Sequence, residues 1–159
     1  MPVEIRPASK QDYDQLCELF TELDEFHRLA RPELFKKSEG PARSKDHLAK
    51  LMADDAGIIL VAENVARLDG LSMMLMRSAP ATPLHVPRRV GEIDNLVVRA
   101  CARRQGVGRA LVAASIDWAK GHGATDIEVA VHAFNREAIE FYEALGFTMS
   151  VHRLLLRGD

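Results

Sequence analysis

The sequence has few cysteines, few aromatic residues and no long hydrophobic run. Its two cysteines, Cys17 and Cys101, are far apart and neither belongs to a C-x-x-C pair, which argues against a disulfide framework. No His-x-x-x-His or carboxylate cluster has the spacing of metal ligands, so we expect no metal. No window approaches the roughly 18 apolar residues of a membrane span, and residues 1–6 do not resemble a secretion signal. These absences predict a cytoplasmic protein without a membrane partner.

The sequence also lacks a large excess of positive or negative charge. The formal net charge is −2, and basic and acidic residues are interspersed along the chain. There is no basic stripe with interleaved aromatic residues, so nucleic acid is not an expected partner. A chain of 159 residues that is 47% hydrophobic is large enough for one core, and we expect residues 1–159 to form a single domain.

The apolar spacing predicts a mixed α/β fold. In order it indicates a strand at 3–6, helices after Ser9 and Ser44, strands at 58–62, 71–76 and 92–98, a helix after 106, a strand at 126–131, a helix over 138–145, and a final strand pair. The succession strand, helix, strand in the second half predicts two parallel strands joined by a crossover helix. The earlier strands are expected to form an antiparallel meander.

The most informative stretch is the loop between the strand at 92–98 and the following helix. It contains Gly106 and Gly108 among arginines, and a helix start of this kind offers free backbone N–H groups to a phosphate. A dinucleotide-binding loop is a competing interpretation, but Leu111 stands where that motif requires its third glycine. The loop therefore predicts a phosphate site of another type.

Two motifs together resemble the GCN5-related N-acetyltransferase (GNAT) superfamily. The first runs from Leu96-x-Val98 to Arg103-x-x-Gly106-x-Gly108, and the second contains Asn135 and the segment from Ala138 to Phe147. The resemblance implies the element order β-α-α-β-β-β-α-β-α-β-β. It also implies that the parallel fourth and fifth strands diverge to admit coenzyme A (CoA).

The resemblance further implies acetyl-CoA as a cosubstrate. Backbone groups of the fourth strand would pair with the pantetheine arm, the loop would bind the pyrophosphate, and two later residues would reach the cofactor from the mouth of the gap. The implied cofactor-binding residues are Val97, Val98 and Arg99 on the strand, Arg103, Arg104, Gln105, Gly106, Val107, Gly108 and Arg109 in the loop, and Asn135 and Tyr142 beyond it.

Tyr142 matches the family position that donates a proton to the departing CoA thiolate. A phenol with a pKa near 10 is protonated at neutral pH and can fill that role. The helical spacing of its neighbours leaves a second interpretation open, in which Tyr142 is a core aromatic residue.

An amine acceptor must lose a proton before it attacks the thioester, so a base is required. Glu92 matches the carboxylate that some relatives use, while Asp94 and His132 are alternatives. Strand alternation predicts that Glu92 and Asp94 share one face with Leu96 and Val98.

The predicted function is direct acetyl transfer from acetyl-CoA to a primary amine in a ternary complex. The acceptor would be a small molecule or a peptide, and a homodimer is possible, as among relatives. A catalytically silent acyl-CoA sensor or interaction module of the same fold is the alternative, and a small nucleotide-binding regulator is a third interpretation.

Overall fold

A computed structural model describes residues 2–158 of the chain. Its strands are β1 (Glu4–Pro7), β2 (Gly57–Asn64), β3 (Arg67–Ser78), β4 (Arg89–Val98) and β5 (Asp126–Val129). Its α-helices are α1 (Tyr13–Ala30), α2 (Lys45–Ala53), α3 (Val107–Gly121) and α4 (Arg136–Ala144), and short 3-10 helices cover Lys10–Asp12 and Ala100–Ala102. None of the helices within 2–158 is long and apolar enough to cross a membrane.

Helix starts follow the capping residues that the sequence indicates. The side chain of Ser44 accepts a hydrogen bond from the N–H of His47 at 3.1 Å and caps α2. Ser9 caps the 3-10 helix that leads into α1, and Asp12 accepts from the N–H of Ser9 at 2.7 Å. The guanidinium of Arg6 contacts the same carboxylate at 2.8 Å and holds its pKa below the ordinary value.

The sheet confirms the predicted mixed α/β architecture. Its strand order is β1-β2-β3-β4-β5, with the first four strands antiparallel and β5 parallel to β4. The parallel pair is joined through α3, as the strand-helix-strand succession requires.

Helices cover both faces of the sheet. Leu16 and Leu19 of α1 and Leu48 of α2 pack on one face, where they contact a buried row that includes Val61, Leu71 and Val97. α3 covers the other face through Val107, Leu111 and Val112, and α4 joins it through Tyr142. The two buried layers fix β4 between α1 and α3, so the end of β4 is held from both sides.

Pairing between the parallel strands ends halfway along β4. The register runs from Val90↔Asp126 to Ile93↔Val129, and β5 stops at Val129 while β4 continues to Val98. Residues 95–98 are therefore paired with β3 alone. The gap that the family resemblance implies between the fourth and fifth strands is present.

The prediction of a final strand pair is wrong. Residues 148–158 carry no helix or strand, so the sheet has five strands where seven were expected. The sequence 149–156 retains the apolar content of a strand, but a strand forms only when a neighbouring backbone satisfies its N–H and C=O groups. Within residues 2–158 no such neighbour lies beside this segment.

Candidate active site

The turn before α3 presents a row of free backbone N–H groups. Within residues 2–158, no acceptor is bonded to the N–H of any residue from Arg104 to Arg109, and the first intrahelical bond runs from Ala110 to Gly106 at 3.0 Å. Gly106 adopts the left-handed conformation with φ +83°, and no atom lies within 4 Å of the position a Cβ would take. The amides therefore face open space at the positive end of the α3 dipole, which suits a phosphate.

The side chains of this turn have different surroundings. Arg103 donates to the carbonyl of Val98 at 3.1 Å, which ties the turn to β4. Gln105 donates to the carbonyl of Cys101 at 3.2 Å, and Val107 is buried in the core under α3. Arg104 and Arg109 are exposed, and the nearest charged partner of Arg104 is Glu137 at 3.6 Å.

Gly108 lies where α3 packs closely against α4 and β4. A Cβ at this position would lie 3.3 Å from Cζ of Phe141 and 3.6 Å from Cγ2 of Val98. The start of α3 thus approaches α4 and β4 closely, which brings the turn next to the unpaired half of β4.

The unpaired half of β4 has backbone groups that point into the gap. The N–H of Arg99 donates to the carbonyl of Asp69 at 2.7 Å, so Arg99 and Val97 direct their backbone groups toward β3. Because direction alternates along a strand, the N–H groups of Leu96 and Val98 point the other way. The guanidinium of Arg99 donates hydrogen bonds to the carbonyl of Leu68 and to the carboxylate of Glu18.

A β-bulge at Asp94 divides β4. Met73 pairs with Asn95 and Met74 with Ile93, which leaves Asp94 as the extra residue. Ile93 and Leu96 both pack under α3, although residues three apart in a regular strand face opposite sides.

The bulge makes wrong the expectation that Glu92 shares a face with Leu96 and Val98. Because Ile93 lies under α3, its neighbour Glu92 faces the opposite side of the sheet from Leu96 and Val98. Glu92 accepts from Nε of Arg77 at 2.6 Å, and the same guanidinium contacts Glu128 at 2.5 Å.

A cavity of about 710 Å³ opens where β4 and β5 diverge, beside the end of α1 and the chain that follows it. Asp94 lines this cavity and Glu92 does not. Asp94 accepts from the side-chain amide of Asn95 at 2.8 Å but has no cationic partner within 4 Å among residues 2–158. Burial, and next the charge of Glu92, raises the pKa of Asp94, while Arg43 opposes the shift.

Tyr142 lies at the floor of the same cavity. It is 6% exposed and packs edge-on against Phe141 and Phe147, at ring centroid distances of 5.1 and 5.3 Å. Its hydroxyl has no hydrogen-bond partner among the described residues, and burial raises its pKa further above 10. Tyr142 therefore combines both interpretations: the ring belongs to the core, and the phenol is a protonated group beside the gap.

Asn135 and His132 lie on the cavity wall next to β5. Asn135 caps α4 by accepting from the N–H of Ala138 at 3.1 Å, which leaves its amide nitrogen available. His132 lies 5.3 Å from the rings of both His27 and Phe35, and burial, followed by the charge of His27, lowers its pKa.

Three features of the site were not visible in the sequence. Arg77, which neutralises Glu92, belongs to a strand with no motif, and no sequence signal marks the bulge at Asp94. The ion pair between Arg43 and Asp24, at 2.7 Å, fixes the chain after α1 as a wall of the cavity.

Residues 2–158 contain no group of three or more His, Cys, Asp or Glu side chains placed to hold a metal ion.

Comparison with family models decides the classification. Residues 17–147 match the model of the acetyltransferase (GNAT) family. The chain belongs to this family. Mycothiol acetyltransferase of Renibacterium salmoninarum is 30% identical over 94 residues, which cover 59% of this chain. The match spans 27% of the length of that relative, so the chain corresponds to a part of it.

Two solved structures share the fold along nearly the whole chain. The BH1408 protein of Bacillus halodurans is 27% identical, with a TM-score of 0.91 over 97% of this chain and 99% of that one. The aminoglycoside N-acetyltransferase AAC(6')-Iy, solved with CoA, has a TM-score of 0.72 at 16% identity, covering 98% of this chain and 99% of its own. At this identity, the likeness to AAC(6')-Iy shows a shared fold alone.

Proposed function

We propose that this GNAT protein transfers an acetyl group from acetyl-CoA to a primary amine in a ternary complex. The observation that carries the proposal is the continuity of three features: the free amides of residues 104–109, the unpaired half of β4, and the cavity containing Asp94 and Tyr142. A pyrophosphate at the first feature and a thioester at the third are joined by an arm that runs along the second.

The cofactor arm pairs with β4 as an added strand. The N–H groups of Leu96 and Val98 are its hydrogen-bond donors, because those of Val97 and Arg99 point toward β3. One N–H of this stretch also polarises the thioester carbonyl and stabilises the oxyanion that forms during attack. Arg104, Arg109 and the turn amides neutralise the pyrophosphate, and Asn135 contacts the cofactor from the opposite side of the gap.

Asp94 is the base in this proposal. It lines the cavity without a cationic partner, whereas Glu92 is neutralised by Arg77 and lies outside the cavity. Burial and the charge of Glu92 raise the pKa of Asp94, which makes it a better proton acceptor than an ordinary aspartate carboxylate. Asp94 accepts the proton of the amine, the amine nitrogen attacks the thioester carbon, and the C–S bond breaks.

Tyr142 then donates its phenolic proton to the departing sulfur; the phenolate takes the remaining excess proton of the amide nitrogen, and Asp94 releases its proton to solvent, which restores both residues. The hydroxyl has no competing acceptor among residues 2–158, and burial keeps it protonated across the physiological range. The acceptor enters through the cavity mouth beside α1, where aromatic and imidazole rings form the wall.

Release of CoA thiol from acetyl-CoA tests the proposal. Purified protein is given acetyl-CoA with a panel of amines that includes amino acids, polyamines, aminoglycosides and peptides. We expect amine-dependent thiol release from at least one class. Tight CoA binding without release for any amine would instead support the silent sensor, and adenine nucleotide binding without CoA binding would support the nucleotide regulator.

A further inference from the structure

A group of five rings, here called the ring cluster, lies at the mouth of the cavity beside the end of α1. Its members are Phe26, His27, Phe35, His132 and Phe134, and the centroids of neighbouring rings are 5.3 to 5.9 Å apart. His27, Phe35 and His132 line the cavity, and none of the three phenylalanines belongs to the buried core. Rings that face an open cavity and not the core are typical of a ligand-binding surface.

The chain around α1 holds the ring cluster in place. Nδ1 of His27 lies 2.9 Å from the carbonyl of Leu23, and because a carbonyl only accepts, Nδ1 is the donor. The N–H of Phe35 donates to the carbonyl of Arg31 at 3.0 Å. The rings of Phe35 and His132 meet at 81°, an edge-to-face arrangement that aromatic pairs prefer. These contacts fix the rings without a ligand, which lowers the entropy cost of binding one.

The charged groups of the cavity wall leave one carboxylate without an ion pair. Arg28 pairs with Glu25 at 2.6 Å, and Arg43 pairs with Asp24 at 2.7 Å. The charged lining residues that make no ion pair within 4 Å among residues 2–158 are Asp94, Lys36 and Lys37. Because two of these three are cations, the wall suits an acceptor with a single ammonium group and disfavours a polycation.

We propose that the acceptor is a primary monoamine that a short chain joins to an aromatic ring. Its amine lies beside Asp94 and its ring packs on the ring cluster, since both features line the same cavity. Edge-to-face contacts favour an aromatic ring over an aliphatic ring of similar size. This inference rests on the acetyl transfer proposed above, and it adds Phe35 as a residue that determines specificity.

Thiol release with a series of amines tests the preference. The value of kcat/KM for 2-phenylethylamine should exceed that for ethylamine, which lacks the ring, by about tenfold, because the ring loses apolar contact with water. It should exceed that for spermidine, a polycation, by a similar factor of about tenfold. The expected advantage over 2-cyclohexylethylamine, whose ring is aliphatic, is about threefold. A preference for spermidine or for ethylamine overturns the inference.

A change at Phe35 tests the ring contact itself. Phe35→Ala should raise KM for 2-phenylethylamine about tenfold with little change in kcat, because it removes a ring and no proton-transfer group. Leu34→Ala is the matched control, since Leu34 is 43% exposed and does not line the cavity; KM should stay unchanged. Phe35 lies outside the buried core, so the variant should fold. An unchanged KM in Phe35→Ala contradicts the role of this ring.

A binding measurement separates this inference from the acetyl transfer on which it rests. Thiol release from none of the amines contradicts acetyl transfer. In that case 2-phenylethylamine, added to the protein with saturating CoA, should still shift the imidazole NMR signals of His27 and His132, and spermidine should not. Imidazole signals that stay in place with 2-phenylethylamine overturn the ring site, whether or not the protein transfers acetyl groups.

Discussion

The two halves of β4 differ in what they do. Residues 90–93 are paired on both sides, with β3 and with β5, and Glu92 in this half is neutralised by Arg77. Residues 95–98 are paired on one side, with β3, and the bulged Asp94 before them lines the cavity without a cationic partner within 4 Å among residues 2–158. One strand thus has a half that is paired on both sides and a half that is open to the gap, and the bulge at Asp94 is the boundary.

The comparison teaches that proximity in sequence does not decide the role of a carboxylate. Glu92 and Asp94 are two residues apart, and a regular strand would place them on the same face. The bulge puts Leu96 and Val98 on the face opposite Glu92, and the partner of each carboxylate sets its chemistry. A base needs access to the substrate and a free lone pair, and Asp94 has both.

The sharpest way to break the comparison is to neutralise each carboxylate in turn. Asp94→Asn should lower kcat on the order of 10³-fold, because the amide cannot accept the proton of the amine. Glu92→Gln should lower kcat by no more than about threefold, since it removes only the second cause of the raised pKa of Asp94 and no group that lines the cavity. Thiol release with the best acceptor of the amine panel gives both values. The reverse order of effects would assign the base to Glu92.

The next largest effect is expected at Tyr142. Tyr142→Phe should lower kcat on the order of 10²-fold while the affinity for CoA changes little, because the ring packing is kept and the proton donor is lost. The hydroxyl has no partner among residues 2–158, so the melting temperature should also stay nearly constant. Turnover equal to that of the unchanged protein would leave Tyr142 as a core aromatic residue.

The phosphate turn predicts a smaller effect on binding. Gly106→Ala should weaken CoA binding about tenfold, because a Cβ would project into the space in front of the amides and strain a residue at φ +83°. Gly146→Ala carries comparable strain at φ +97°, also with no atom within 4 Å, but lies after α4. Isothermal titration should show normal CoA affinity for this control. Equal losses in both variants would mean that strain alone, and not phosphate contact, explains the result.

The pH profile sharpens the assignment of Asp94. Its folded pKa is raised, and only the ionised form accepts a proton, so kcat/KM should rise with pH through a value above the ordinary aspartate pKa of 3.8. This rise of kcat/KM with pH arises from the ionisation of Asp94 itself, so it should disappear in Asp94→Asn. If the rise of kcat/KM persisted in Asp94→Asn and vanished in His132→Gln, the base would be His132.

The sequence was sufficient for the order of elements as far as α4 and for the glycine-containing turn before α3. Gly106, Gly108 and the arginines lie in one continuous segment, so local pattern and family resemblance predict their place. The faces of Glu92 and Asp94 could not be predicted, because a bulge arises from the register with β3 and leaves no mark in the alternation of β4. The missing final strands have a similar cause: strand propensity is local, but the pairing partner is not.

Amide exchange followed by NMR in the full chain, with and without CoA, tests the central claim most directly. CoA should slow exchange at the N–H groups of residues 104–109 and at those of Leu96 and Val98, and should leave residues 90–93 unchanged because β3 and β5 already hold them. Binding of CoA with no change at the turn and at the unpaired half of β4, or the absence of any binding, would contradict the account.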